Sequence, residues 1–169
     1  VAVATPTLVG MAEIHVHQGP ALYSCIGLGS CIGLVAHCPA SGVSGMIHVM
    51  LPEAFKDKPI DKPGKFVDVG LPEMVKLMAA KGANPNRLVA AYAGGAQVFK
   101  IGADVSSRLD IGKRNAEAVK TLLEQLRIRT VAHDVGGSNG RTVTVDIASL
   151  TVKVRSINEG EKILCNLRG

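Results

Sequence analysis

Thiol and imidazole side chains crowd the first third of this 169-residue chain: Cys25, Cys31 and Cys38, with His37 and His48 near them and His15 and His17 upstream. Such groups ligate metal, pair as disulfides or act as nucleophiles, and spacing separates the cases. Structural zinc favours Cys-x2–4-Cys knuckles. Here five residues separate Cys25 from Cys31 and six separate Cys31 from Cys38, a weak match. His15 and His17 share one face of a strand, which permits a metal pair, although solvated strand histidines are the commoner arrangement. A phosphate loop fares no better. In Gly27-Leu28-Gly29-Ser30-Cys31-Ile32-Gly33 the third glycine comes one place late for GxGxxG, and no Gly-Lys-Ser/Thr follows. Nucleophilic chemistry fits better. Cys31 follows the Gly29-Ser30 turn, which can expose its sulfur and leave backbone N–H groups free around Ser30 and Cys31 to hold an oxyanion. A thiol needs a base at neutral pH, and His48, seventeen residues on across a turn, is the best placed of the five histidines. A cysteine in an apolar run is also a common small core residue. Spacing alone leaves both readings standing.

The elements that must position these residues read as follows. Ala12 to His17 alternates apolar and polar residues and predicts a half-buried strand. Ala21 to Cys25 is extended, and Ile26 to Ser30 a glycine-spaced turn. Ile32 to Cys38 is apolar throughout, and periodicity does not choose between strand and short helix. Val43 to Met50 is a strand after the Pro39–Gly42 turn. Val67, Leu71, Met74, Val75 and Met78 form a helical stripe, with Gly82 suited to its C-terminal cap and Pro72 confined to the early turns or kinking the axis. Leu88 to Ala93 is a strand leading to Gly94-Gly95. A second helix spans roughly Asn115 to Leu126, burying Val119, Leu122, Leu123 and Leu126. Val131 to Val135 is a strand, Gly136 to Gly140 a loop, and Arg141–Asp146 with Thr151–Arg155 a hairpin wet on one face. The order predicts a single α+β domain over residues 1–169, a sandwich-like set of mixed and antiparallel sheets with two main helices, rather than regular βαβ winding.

Composition narrows the function. The hydrophobic share of 47% and charged share of 20% exclude disorder, and the length supports one core without disulfide staples. Aromatic residues make up 3%, with no Trp, and there is no dense basic run, which argues against nucleic-acid binding. All nineteen Lys and Arg lie from Lys56 onward, with twelve of the fourteen acids, so the later two thirds carry +7 and the first third −2, for a net charge of +5. The uncharged stretch from Ala21 to Cys38 approaches the length of a membrane span, but glycines interrupt it and no basic flank precedes it as a leader requires. A cytoplasmic protein with free thiols and no membrane insertion is the expectation.

Leu28-Gly29-Ser30-Cys31 followed by His48-Val49-Met50-Leu51-Pro52 resembles the signature of the CheD family, the chemoreceptor glutamine deamidases. The resemblance runs along nearly the whole chain: Lys62-Pro63-Gly64-Lys65-Phe66-Val67-Asp68, Gly94-Gly95-Ala96, Ile111-Gly112-Lys113-Arg114-Asn115, and Asp134-Val135-Gly136-Gly137 with Gly140-Arg141 are each similar to family segments in the same order. It implies a fold related to the deamidase domain of cytotoxic necrotizing factor toxins, a Cys31–His48 nucleophilic site and a thioester route from glutamine to glutamate without metal or organic cofactor. It further implies methyl-accepting chemotaxis receptors as substrates, with receptor methyl esters as a second target, and the CheC phosphatase as a partner. The family's third catalytic position, usually Thr, is Cys25 here. A thiol is the weaker hydrogen-bonding group, so Cys25 or a backbone carbonyl orients His48; Cys25 also stands where it could form an inhibitory disulfide with Cys31. A site weakened in this way would leave an adaptor that binds receptors and CheC.

Overall fold

No charged side chain occurs between Ile32 and Val49, and the fold gives the reason. The computed structural model describes residues 5–97 and 110–168. Its elements are β1 (Pro6–Leu8), β2 (Ile14–Gln18), β3 (Leu22–Leu28), β4 (Ile32–Cys38), β5 (Val43–Val49), α1 (Val67–Ala80), β6 (Val89–Gly94), α2 (Ile111–Gln125), β7 (Arg129–Val135), β8 (Arg141–Asp146), β9 (Thr151–Ser156) and β10 (Gly160–Asn166). They form two five-stranded sheets, β1-β3-β8-β9-β10 and β2-β5-β4-β6-β7. The second sheet is the middle layer. One face packs on the first sheet, through Val35, Met46, Ala91 and Ala93 against Tyr23, Cys25, Leu28, Val143 and Val154. Its other face takes the helices, through Ile32, Leu34, Ala36, Ile47 and Val49 against Leu71, Met74, Met78, Val119 and Leu123. A strand covered on both faces loses its polar alternation. Every residue of β4, β5 and β6 is accordingly buried, and the open choice at Ile32–Cys38 resolves as a central strand. A charge there would lose its hydration without a partner.

The first sheet has one wet face, and β8 shows the expected alternation of buried and half-buried residues. Its hairpin with β9 is antiparallel, as read from the sequence. β6 and β7 pair in parallel with α2 between them, so one βαβ unit sits inside the otherwise α+β arrangement.

Several boundaries differ from expectation. Ala12 has φ +66° and belongs to a turn, so the first long strand begins at Ile14. β3 continues through Leu28, its ladder with β8 irregular between Cys25 and Leu28, where Gly27 takes φ +66°. The turn before Cys31 is therefore shorter than Ile26–Ser30. α2 begins at Ile111 because Asp110 caps it, accepting from the Lys113 N–H at 2.9 Å. α1 ends as Gly82 suggested: the Gly82 and Ala83 N–H groups bond back to Ala79 and Met78 at 3.0 and 3.1 Å, with Gly82 at φ +108°. Pro72 is the sixth residue of α1 and lies on its exposed side, where the helix continues past it.

Candidate active site

Cys31 and His48 are brought together by the register of two adjacent strands. In the β4–β5 ladder Ile32 pairs with Val49 and Gly33 with His48. Residues directly opposite share a face, so Gly33 and His48 both face the first sheet, and Cys31, two residues before Gly33, lies on that side as well. Cys31 is thus a diagonal neighbour of His48, a relation that puts Cα atoms roughly 7–8 Å apart and long side chains within reach. Consistently, Cys31 packs against the cluster between the sheets.

His48 is 5% exposed, and its Nδ1 lies 3.0 Å from the carbonyl oxygen of Val9. A carbonyl only accepts, so Nδ1 carries the proton, which leaves Nε2 as the nitrogen open to proton transfer. Val9 is itself fixed: it is fully buried, and its N–H bonds to the Ser24 carbonyl of the opposing sheet at 2.8 Å. The imidazole's orientation therefore rests on the backbone of the segment between β1 and β2.

Cys25 lies across the inter-sheet space. A Cβ placed on Gly33 would approach its Sγ to 3.0 Å and Leu28 Cδ1 to 3.1 Å, so a larger residue where β3 crosses β4 would require these two side chains to give way. Burial, reinforced by the neighbouring Cys31 sulfur, pushes the Cys25 thiol up to about 12. Position 25 thus holds a protonated, fully buried thiol, while Nδ1 of His48 is engaged by Val9. All four cysteines are free thiols. Cys38 is a packed core side chain beside Val43 and Ala83. Burial also raises the Cys31 thiol above its ordinary value. At neutral pH it is protonated at rest, so a thiolate has to be made by proton transfer during attack.

The glycine motifs hold the turn that carries Cys31. Gly95 N–H donates to the Cys31 carbonyl at 2.9 Å and Ala96 N–H to the Gly29 carbonyl at 2.8 Å. Gly94 has φ +122°, and a Cβ there would lie 2.1 Å from the Cys31 oxygen. Gly112 of α2 seats against Gly95 and Ala96 so closely that a Cβ would meet their backbone at 2.5–2.6 Å. From α2, Asn115 sends its Nδ2 to the carbonyls of both Ser30 and Met50, at 2.9 Å each. Sequence reading placed Asn115 at the helix start and missed this role. The available signal was the Asp110 cap, which extends the helix and puts Asn115 one turn before buried Val119 on the core stripe.

The Asp134–Arg141 loop closes the neighbouring side. Arg141, with its side chain 8% exposed, bonds Asp134 Oδ1 and the Asp134 carbonyl at 2.8 Å each, and the Gly136 and Asn139 carbonyls. The loop reaches the turn through Gly136 N–H to Gly94 O at 3.1 Å and Gln97 N–H to Gly137 O at 2.9 Å. A cleft of about 220 Å³ beside it is lined by Asp134, Arg141, Glu159 and Lys162 and lies apart from Cys31 and His48.

Fold and site together define a two-sheet α+β protein with a thiol and an anchored imidazole at one end of its middle sheet. The chain belongs to the CheD family: the profile described as CheD chemotactic sensory transduction matches residues 50–156. It is similar to proteins named "Probable chemoreceptor glutamine deamidase CheD" from Desulforamulus reducens (41% identical over 92% of this chain and 93% of that protein), Clostridium tetani (40%, over 91% and 93%) and Desulfitobacterium hafniense (42%, over 92% and 96%).

Proposed function

We propose that this protein is a chemoreceptor glutamine deamidase, with Cys31 as nucleophile and His48 as general base and acid. The carrying observation is the anchored imidazole of His48, diagonal to Cys31 on one sheet face. The name shared by relatives about 40% identical over nine tenths of the chain supplies the substrate class.

In this mechanism Nε2 of His48 takes the Cys31 proton as sulfur attacks the glutamine carboxamide carbon. Backbone N–H groups around Ser30 and Cys31 receive the oxyanion. Collapse breaks the C–N bond, the imidazolium returns its proton to the leaving nitrogen, and ammonia departs. Water, deprotonated by His48, then hydrolyses the thioester to glutamate and restores the thiol. Atoms balance with water as the only co-reactant, so the scheme requires neither metal nor organic cofactor. Val9 replaces a third side chain in orienting His48, and Cys25 acts as packing beneath Gly33.

The substrates are the receptors' cytoplasmic helices, which places the reaction in the cytoplasm; no helix among the described residues is long and apolar enough to cross a membrane. The adaptor alternative, binding receptors and the CheC phosphatase without turnover, draws its support from the inert Cys25 thiol. Incubation with receptor cytoplasmic fragments and mass spectrometry of the Gln-to-Glu shift decides between them. Conversion lost in Cys31→Ala supports the enzyme; equal rates in both proteins would defeat it.

A further inference from the structure

Asn115 is fully buried on the core-facing stripe of α2, a position that otherwise carries Val119 and Leu123. Its Nδ2 has two hydrogens and two acceptors. One is the carbonyl of Ser30, the residue before Cys31; the other is the carbonyl of Met50, two residues after His48. These are the places where the β4–β5 ladder has stopped. Its last pair is Ile32 with Val49, and the Met50 N–H has already turned away to the Lys65 carbonyl at 2.9 Å. Beyond that pair no strand hydrogen bond sets the separation of the two chain ends. The Asn115 carboxamide sets it instead. Its Oδ1 is buried with no hydrogen-bond partner among the described residues, so the side chain is held by its two donors alone. An apolar residue on the same stripe would avoid an orphaned acceptor; the donors are what an asparagine adds here.

We propose that Asn115 is a positioning residue for the reaction: by spanning Ser30 and Met50 it fixes the distance over which the Cys31 proton passes to His48. The inference rests on the Cys31–His48 reading above. Displacements of about an ångström at a reacting pair cost roughly a hundredfold in rate. Asn115→Asp, the same shape with an oxygen in place of Nδ2 facing both carbonyls, therefore loses about a hundredfold in kcat with KM little changed. Asn115→Ser, able to donate to one carbonyl at a time, loses less and covers the case in which the aspartate variant does not fold.

A second readout needs no substrate. Alkylation of Cys31 by iodoacetamide, followed across pH by peptide mass mapping, shifts to higher pH in both variants as base assistance fails. Leu123→Ala, on the same helix but remote from the turn, is the structural control: it lowers the unfolding temperature and leaves kcat and the alkylation profile of the folded protein intact. The proposal is overturned if the Asn115 variants keep wild-type kcat and profile, or merely track the loss of folded protein as Leu123→Ala does. Activity surviving in Cys31→Ala would instead defeat the underlying reading, which separates the two failures.

Discussion

His48 Nδ1 bonds the Val9 carbonyl at 3.0 Å, and the Val9 N–H bonds Ser24 in the facing sheet. One backbone residue thus links the imidazole to the layer opposite. Orientation of the base by a carbonyl leaves the residue type at position 9 free apart from its burial. Removing the imidazole should separate catalysis from anchoring. His48→Asn keeps an N–H donor near the Nδ1 position without a base, and its kcat should fall by roughly 10²–10⁴-fold. His48→Leu should lose as much activity and also about 1–3 kcal/mol of stability, because the Val9 carbonyl is stranded. Turnover on receptor fragments and urea unfolding measure the two effects; an active His48→Asn would contradict the assignment.

Cys25 makes a prediction at high pH. Its folded value of about 12 lies above that of a free thiol. Between the two values the unfolded chain has lost this proton and the folded chain still holds it, so stability must fall as pH rises. Below the free-thiol range the contribution is complete. Relative to Cys25→Ala, the wild-type protein should lose about 1.4 kcal/mol per pH unit once free thiols ionise. Taking the difference between the two proteins cancels the lysines and tyrosines they share. Parallel stability curves from neutral to strongly alkaline pH would show that the Cys25 environment is not as closed as described.

Gly94 tests whether the turn is built around its oxygen contacts. Any side chain there meets the Cys31 carbonyl and must also hold φ +122°. Gly94→Ala should cost at least about 1–3 kcal/mol from the backbone conformation alone, and deamidation should fall further than the folded fraction does. Gly19→Ala, at φ +87° with open space around it, is the paired control. It should share the backbone cost and keep full activity per folded molecule. Equal activity losses in both would remove the turn from the explanation.

Arg141 reaches one carboxylate and three carbonyls from a nearly buried position. Lysine keeps the charge but cannot fork. Arg141→Lys should therefore destabilise by about 1.5–3 kcal/mol in urea unfolding, softened by Lys162, which already lies 3.3 Å from Asp134 Oδ2. A variant as stable as wild type would mean that the loop's shape is set elsewhere.

Much of this layout can be read from residues alone, for identifiable reasons. Helix stripes at Val67–Met78 and Val119–Leu126 are visible because each helix has one wet side. Ile32–Cys38 is opaque because a strand covered on both faces carries no period. β10 gives little sign of itself: it is an edge strand, exposed along most of its length, with Glu161 and Lys162 adjacent and a ladder irregularity between Ile163 and Cys165. Such charges guard an edge against pairing with other chains, and they also erase alternation. Within the site, Cys31 and His48 are legible as side-chain types at a hairpin spacing. Val9 is not, since its contribution is a carbonyl that every residue possesses. Asn115 lies between these cases: its buried place on α2 is readable once Asp110 is taken as the cap, but its two acceptors are backbone atoms distant in the chain.

That distance bears on folding order. β4 and β5 close by a four-residue connection, so their pairing is local and quick to form. The bonds from Asn115 to Ser30 and Met50 instead span 85 and 65 residues, and their loop-closure entropy is met only when α2 docks. A newly made chain would thus hold its sulfur and imidazole on neighbouring strands well before anything fixes the gap between them. Completion of the site then coincides with completion of the fold, and partly folded molecules carry the two groups without their working geometry.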